Sequence, residues 1–435
     1  MFYKETNFKE ATVVGKIPMD WEIVGIRKIC ESKRGFSYRS DQITKEATNK
    51  RFITINEFEK EGGFKHNGER LYLKDEVNVD SDFILNKDDV LIANTDMSRG
   101  FIIGAPIHIE YIEDKPIYSM DLTKLIFDKK RMNGKFLFYF LKHEKVRRKM
   151  KTFAQGTNVL HLNHELMKNL QIPLPPLSEQ QNIVRVLGVV DSAIQKAGEV
   201  IAKTERLKKG LMQELLTKGI GHKEYKQTPI GKTPKEWEVK RLEEASFEVT
   251  IGVVNPATPY YTSANNGVPY FRSQNVRENR LEPTNVYVKP EFNERHPRSI
   301  LKENDILTLQ TGFIGVSCLV PKECEGANCH SLLITRTNPK MLNPRFLCQF
   351  LNSAVGKKII NRHNSGWGRA HLLLEDFRKI SILLPPLQEQ QKIAEILATA
   401  DKSIELERKE KTRLERVKRG LMDLLLTGKV RVKVN

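Results

Sequence analysis

The chain is written twice, and that limits what it can fold into more than any other feature. Ile172-Pro-Leu-Pro-Pro-Leu-Ser-Glu-Gln-Gln-Asn-Ile183 returns as Ile382-Leu-Leu-Pro-Pro-Leu-Gln-Glu-Gln-Gln-Lys-Ile393. Residues 172–217 and 382–427 share 21 identities in 46 positions at an offset of 210, where composition alone gives about three. The same offset joins Asn133-Gly-Lys-Phe-Leu-Phe-Tyr-Phe-Leu141 to Asn343-Pro-Arg-Phe-Leu-Cys-Gln-Phe-Leu351, Gly156 to Gly366, and His161-Leu162 to His371-Leu372. Further upstream the offset becomes 216. There Thr12-Val-Val-Gly-Lys-Ile-Pro-Met-Asp-Trp-Glu22 matches Thr228-Pro-Ile-Gly-Lys-Thr-Pro-Lys-Glu-Trp-Glu238, and Asp89-Val-Leu matches Asp305-Ile-Leu. Between these anchors the copies diverge. One unit is therefore a variable module followed by a retained segment, repeated once. The expected boundaries are 1–172 and 220–382 for the modules, and 173–219 and 383–435 for the retained segments.

The retained segments read as long helices. Residues 178–217 contain no proline. Leu187, Ile194, Ile201 and Leu215 fall at heptad position a, and Ile183, Val190, Ala197 and Leu211 at d; Thr204 and Lys208 are the exceptions. The second copy places Ile393, Leu397, Ala400, Ile404, Leu414, Leu421 and Leu425 on the same seam, interrupted by Glu407, Lys411 and Lys418. Such seams suit a two-helix coiled coil. Pro175-Pro176 and Pro385-Pro386 set an extended elbow before each helix. Ser178-Glu-Gln-Gln181 reads as a capping box, with the poorer Gln388 in its place in the second copy. Gly219 and Gly428 are the stop signals.

Forty helical residues span about 60 Å. Too few residues separate the first helix from Thr228 for the chain to travel back along such a rod. The helices are therefore expected to run antiparallel and hold the modules apart with pseudo-two-fold symmetry. A two-fold reader contacts DNA at points about 34–36 Å apart, which such a rod can span. The fold class expected is α+β: two mixed α/β modules separated by two long antiparallel α-helices.

Charge points to the partner. Among 435 residues, 72 Lys+Arg face 54 Asp+Glu, a net charge of +18. That excess favours a polyanion, most often nucleic acid. It is shared out as +5 over 1–177, +2 over 178–220, +7 over 221–387 and +4 over 388–435, so both modules are basic. No apolar run of about 18 residues suggests a membrane helix, and the start lacks the form of a signal peptide. Five cysteines without paired spacing fit a reducing compartment. A cytoplasmic location is expected.

Catalytic motifs are missing. There is no GxxxxGK[ST] loop, no Rossmann G-x-G-x-x-G and no Asn/Asp-Pro-Pro-Tyr/Phe. Cys324-x4-Cys329-His330 has poor spacing for zinc and no second pair. Glu238-Val-Lys240 and Glu407-Arg-Lys409 carry nuclease-like residue types but read as solvated faces. No catalytic, cofactor or metal residue is expected on this chain.

Within the modules, Arg51–Ile55, Asp89–Ala93 and Asp305–Leu309 read as strands. Phe136–Lys151 and Phe346–Arg362 read as amphipathic helices. Reading base edges needs Arg, Lys, Asn or Gln on a firm scaffold. The first module offers Arg34, Tyr38 and Arg39 in one loop, Asn56 and Arg99 after strands, and Gln155 and Asn158 ahead of His161. The second offers Arg272, Gln274, Asn275 and Arg277, then Gln310, Trp367 and Arg369. Gly210 and Gly420, each inside a retained helix, suggest close approach by another backbone.

This plan resembles the DNA-specificity subunit of type I restriction–modification systems. The resemblance rests on the twin Pro-Pro-Leu-x-Glu-Gln-Gln-x-Ile elbows at 175–183 and 385–393. It also rests on Asp191/Ile194 and Asp401/Ile404, and on the Gly-Lys-x-Pro-x-x-Trp-Glu starts at 15–22 and 231–238. It covers essentially the whole chain. It implies two target-recognition domains, each reading half of a bipartite site in double-stranded DNA through the major groove. The helices would act as a ruler for the spacer and dock two methyltransferase subunits that carry S-adenosylmethionine. A restriction endonuclease/translocase subunit would add cleavage driven by ATP with Mg. The specificity chain itself would be non-catalytic and cofactor-free.

Two other readings remain at this point. One is a methyltransferase or nuclease with diverged motifs, which would turn over substrate alone. The other is a coiled-coil scaffold that never binds DNA.

Overall fold

The computed structural model describes residues 2–10, 13–65, 69–97, 101–110, 116–362 and 371–432. The chain divides into two compact units, residues 1–196 with 410–435 and residues 197–409. Among the described residues no helix is long and apolar enough to cross a membrane.

Each unit holds one module, and each module is built on the same two sheets. In the first unit an antiparallel sheet runs in the order Pro106–His108, Val90–Ala93, Leu122–Phe127, Cys30–Arg34. In the second the order is Ser317–Leu319, Ile306–Leu309, Leu332–Thr337, Ser246–Ile251. Val90–Ala93 and Ile306–Leu309 are buried throughout; all their residues are apolar except Thr308, whose hydroxyl is hydrogen-bonded to that of Ser317 at 2.8 Å. A smaller sheet follows. Its order is Ile117–Tyr118, Arg51–Ile53, Leu71–Leu73, Ile43–Thr44 in the first module and Asn328–Cys329, Val268–Phe271, Tyr287–Val288, Tyr261–Thr262 in the second. In both, the first pair is parallel.

One glycine per module allows the two sheets to meet. Gly35 donates to the Leu122 carbonyl at 3.0 Å and Phe36 to that of Tyr118 at 2.8 Å. Gly252 and Val253 do the same to Leu332 at 2.8 Å and Cys329 at 2.9 Å. A Cβ on Gly35 would run into the carbonyl oxygens of Tyr118 and Ser119, and one on Gly252 into that of Cys329. The modules thus share an architecture where their sequences share almost nothing.

The amphipathic helices differ from expectation. Each breaks once, giving Gly134–Lys142 and Glu144–Lys151 in the first module and Pro344–Asn352 and Ala354–Arg362 in the second. The break falls on His143 and Ser353, 210 positions apart. Both have extended backbone and both cap the helix that follows. His143 Nδ1 accepts from the Lys145 amide at 3.3 Å, and Ser353 Oγ from the Gly356 amide at 3.0 Å.

The long helices are Leu177–Leu215 and Leu387–Leu426. Their seams match the heptad expectation: every a and d position, the polar ones included, is buried or half-buried. Their starts do not match. Ser178 lies inside the helix and is not its cap. The Pro176 carbonyl accepts the Glu179 and Gln180 amides at 2.9 and 3.0 Å, and Pro386 repeats this for Glu389 and Gln390. Both helices thus start on a proline carbonyl, ahead of the expected cap positions, and Ser178 and Gln388 lie within their first turns.

The retained Glu-Gln pair has other duties. Gln180 Oε1 accepts from the Asn133 amide at 2.8 Å, while its Nε2 donates to the carbonyls of Arg131 and Pro175. Gln390 binds Asn343, Met341 and Pro385 in the same way. Trp21 Nε1 donates to Glu179 Oε2 at 3.1 Å, and Trp237 Nε1 to Glu389 Oε2 at 2.9 Å. The motifs that recur along the chain therefore recur because they grip one another.

Within each unit the two long helices run in opposite senses. In the second unit Glu205 pairs with Arg408, and Lys208, further along, pairs with the earlier Asp401. In the first unit Asp191 pairs with Lys418, and Glu179, earlier on its helix, with Arg431 beyond the other helix's end. The chain termini also meet there. Phe2–Lys4 pairs antiparallel with Val430–Val432.

Candidate nucleic-acid interface

Strand pairing brings together candidates that lie far apart in sequence. In the first module Thr95 pairs with His161, which pairs with Gln155 on its other side. The Leu162 amide donates to the Asn94 carbonyl at 2.7 Å. In the second, Thr311 pairs with His371 and the Leu372 amide donates to the Gln310 carbonyl at 2.9 Å. The end of a central strand and the retained histidine thus form one site in each module. Gln155, Asn158 and His161 are exposed around it. Gln310 is buried and its Nε2 donates to the Ser331 carbonyl at 2.9 Å. Asn94 is buried with neither amide atom hydrogen-bonded.

A second site follows the parallel strand pair. The Ser119 amide donates to Ile53 at 2.9 Å, and the His330 amide to Phe271 at 2.8 Å. Each acceptor leads into a single 3-10 turn, Ile55–Glu57 or Ser273–Asn275. Asn56 and Gln274 stand at the middle of these turns, both exposed. They are structural equivalents, although no sequence match joins them. Asn275 is buried and spends its amide on the loop, accepting from the Arg272 amide at 3.0 Å and donating to Pro283 at 2.8 Å. Arg272 is half-buried, and its Nε is a buried donor without a partner. Arg277 is exposed, with Nη1 on the carbonyl of Val276 at 3.0 Å.

The loop at 34–39 divides. Arg34 is exposed and its Nε donates to the Met120 carbonyl at 2.8 Å. Arg39 is exposed beside Asp41 at 3.4 Å. Tyr38 packs edge-on against Phe52 at 4.8 Å, and burial together with the Asp121 carboxylate raises its hydroxyl pKa. It belongs to the packing of the small sheet. Arg99, Trp367 and Arg369 lie outside the described residues.

Cys324 is half-buried and Cys329 is fully buried in a core cluster, where burial pushes its thiol up to about 12. Among the described residues no group of three His, Cys, Asp or Glu side chains is placed to hold a metal ion.

Sequence reasoning missed the equivalence of Asn56 and Gln274. The available signal was the aromatic-rich strand end, Phe52-Ile53 and Tyr270-Phe271, three residues ahead. It also passed over two exposed apolar side chains, Met97 and Phe313.

Two basic modules of one design, differing in their exposed polar residues and mounted on a retained helical frame, define a duplicated reader of nucleic acid. The model of the type I restriction modification DNA specificity domain matches residues 18–204 and 234–416, and the chain belongs to that family. The MjaVIII type I restriction enzyme specificity subunit of Methanocaldococcus jannaschii is 31% identical over 99% of this chain and 98% of its own. The EcoKI specificity subunit of Escherichia coli K12 is 20% identical, over 89% of this chain and 84% of its own. Among solved structures, the type I restriction–modification S subunit from M. genitalium superposes with a TM-score of 0.58 at 15% identity, covering 96% of this chain and 97% of that one. A chain from a structure of type I system assembly and conformational transition gives 0.54 at 17%, covering 95% and 99%.

Proposed function

We propose that this chain is the DNA-specificity subunit of a type I restriction–modification system, and that each module reads one half of a bipartite duplex target. It selects the site and catalyses nothing. The observation that supports this most is the pairing of unlike exposed residues on like frames. Asn56 in one module stands where Gln274 stands in the other, and amides of this kind contact adenine edges bidentately in the major groove. Arg34, Arg39, Gln155, Asn158 and Arg277 would add base or phosphate contacts around them, and the basic excess of both modules supplies sequence-independent attraction.

The long helices set the spacer and dock two methyltransferase subunits, with a restriction endonuclease/translocase subunit completing the assembly. S-adenosylmethionine, ATP and Mg belong to those partners, and the complex works in the cytoplasm. The deciding experiment is methylation mapping in a host carrying this chain with its partner methyltransferase. A two-part motif with an unspecified interior is expected. A continuous motif, or methylation independent of this chain, would overturn the proposal. Lengthening both helices by seven residues should change the preferred spacer and leave both halves of the motif unchanged.

A further inference from the structure

Among the described residues two large apolar side chains protrude more than any other, Met97 at 80% and Phe313 at 81% exposed. They occupy the same place in the two modules. Each lies two residues beyond the threonine that pairs with the retained histidine, Thr95 with His161 and Thr311 with His371. The frame on the far side is also shared. The Gly104 amide donates to Ala93 at 2.8 Å and the Gly315 amide to Leu309 at 2.9 Å. Both glycines have positive φ, and a Cβ on them would meet the side chain of Met150 or of Ile360.

The segments between these anchors differ in length, residues 96–103 against 312–314. In both, the second residue is apolar and stands in water. A single exposed hydrophobic residue needs no explanation. The two most exposed ones, at one equivalent position in otherwise divergent segments, do. Exposed Gln155 and His161 stand on the strands beside this segment in the first module, with exposed Asn158 on the bend that joins them, and both modules are basic. These surroundings suit a nucleic-acid duplex better than an apolar protein face.

We propose that Met97 and Phe313 are wedges. Each enters the duplex between adjacent base pairs of its own half-site, unstacks that step, and so positions the neighbouring polar side chains against base edges. Methionine and phenylalanine are among the residue types that proteins insert in this way. The proposal rests on the specificity-subunit reading above.

The test uses the full-length chain without partner subunits, so that no methyltransferase disturbs the bases. Duplexes carrying 2-aminopurine at successive positions of each mapped half-site are titrated at low salt. The wild type should raise fluorescence several-fold at one step in each half. Met97→Ala should abolish the rise in one half only and Phe313→Ala in the other, while Met97→Leu and Phe313→Leu retain it. Bound duplex whose fluorescence is the same with the alanine variants as with wild type would overturn the wedges. Variants that keep the rise but no longer assemble with the methyltransferase would overturn them too, by assigning these side chains to a protein contact. Failure of the wild type to bind duplex DNA at all would instead remove the specificity reading on which the wedges rest.

Discussion

Lys208 holds Asp401 in an ion pair, and the residues 210 positions from each, Lys418 and Asp191, hold one another with the helices exchanging roles. The surrounding partners are repeated as well. Tyr139 donates to Asp191 at 2.6 Å, and Gln349, its equivalent, donates to Asp401 at 2.7 Å. Each lysine that breaks the apolar seam is thus answered by a carboxylate of the other helix. Both lysines are largely buried, so removing a carboxylate strands a cation. Asp401→Ala should destabilise the second unit by about 3 kcal/mol, read as a lower urea midpoint. Lys208→Met should cost less, because Asp401 keeps Gln349. A double-mutant coupling of about 1–3 kcal/mol is expected, and a value near zero would make the pair incidental.

The chain's last described strand supplies a second prediction. Arg431 binds Glu179 at 2.6 and 2.8 Å, Asp20 at 2.9 and 3.0 Å and Glu5 at 2.8 Å, and lies over Trp21. Arg431→Met leaves the Glu179 carboxylate buried with Trp21 alone. A loss of about 3 kcal/mol from the first unit is expected, measured by hydrogen exchange in Phe2–Lys4 and Val430–Val432. Hydrogen bonds from Arg431 hold the Asp20 carboxyl below its usual range, while the Asn7 and Thr6 amides, followed by Arg431, do this for Glu5. Depressed carboxyls stabilise the fold above their unfolded values, and that share is lost as pH falls below about 4. The variant should show a shallower acid transition.

Sequence made the frame legible and left the readers obscure, for a physical reason. The frame's residues recur because they contact each other: Trp21 with Glu179, Gln180 with Asn133, Asp191 with Lys418. A change in one would strand its partner, so both copies keep them and an offset reveals them. Asn56 and Gln274 contact nothing that must match between modules, so only the backbone shows that they correspond. Ser178 looked like a cap because its spacing to Gln181 fits the pattern, but the helix already begins at Leu177, with Pro176 accepting its first amides. The helix break at His143 was hidden because the apolar face continues across it, with Phe140 before and Val146 after, both fully buried.

That break makes one module sensitive to pH. His143 accepts the Lys145 amide at Nδ1, which requires the neutral ring, and burial lowers its pKa although Asp423 lies 3.6 Å from Nε2. Lys145 adds to the lowering and Glu144 opposes it. The folded state therefore takes up fewer protons than the unfolded chain. Stability is complete above the ordinary histidine pKa of about 6.5 and declines as pH falls below it. Ser353 performs the same capping without titrating. His143→Ser should flatten the dependence of the first unit's melting temperature on pH between about 7.5 and 5.5, at a cost of no more than about 1 kcal/mol at neutral pH. An unchanged slope would assign that dependence to another group.

The exposed turn residues give the sharpest functional test. Asn56 and Gln274 sit on equivalent short turns, and neither side chain supports the fold around it, since both are exposed. Replacing either with alanine should leave the melting temperature within about 1 °C, given surface effects of no more than about 0.5 kcal/mol. A bidentate amide-to-base contact carries about 1–3 kcal/mol of discrimination. Gln274→Ala should therefore relax one position of one half-site about 5- to 150-fold, and Asn56→Ala one position of the other, both scored by methylation mapping. Asn275→Ala should behave differently, because it loosens the loop by removing the bonds to Arg272 and Pro283. Its expected signature is weaker methylation of every site containing that half, with little change in base preference. Equal relaxation of both halves by Gln274→Ala would mean that the modules do not read independently.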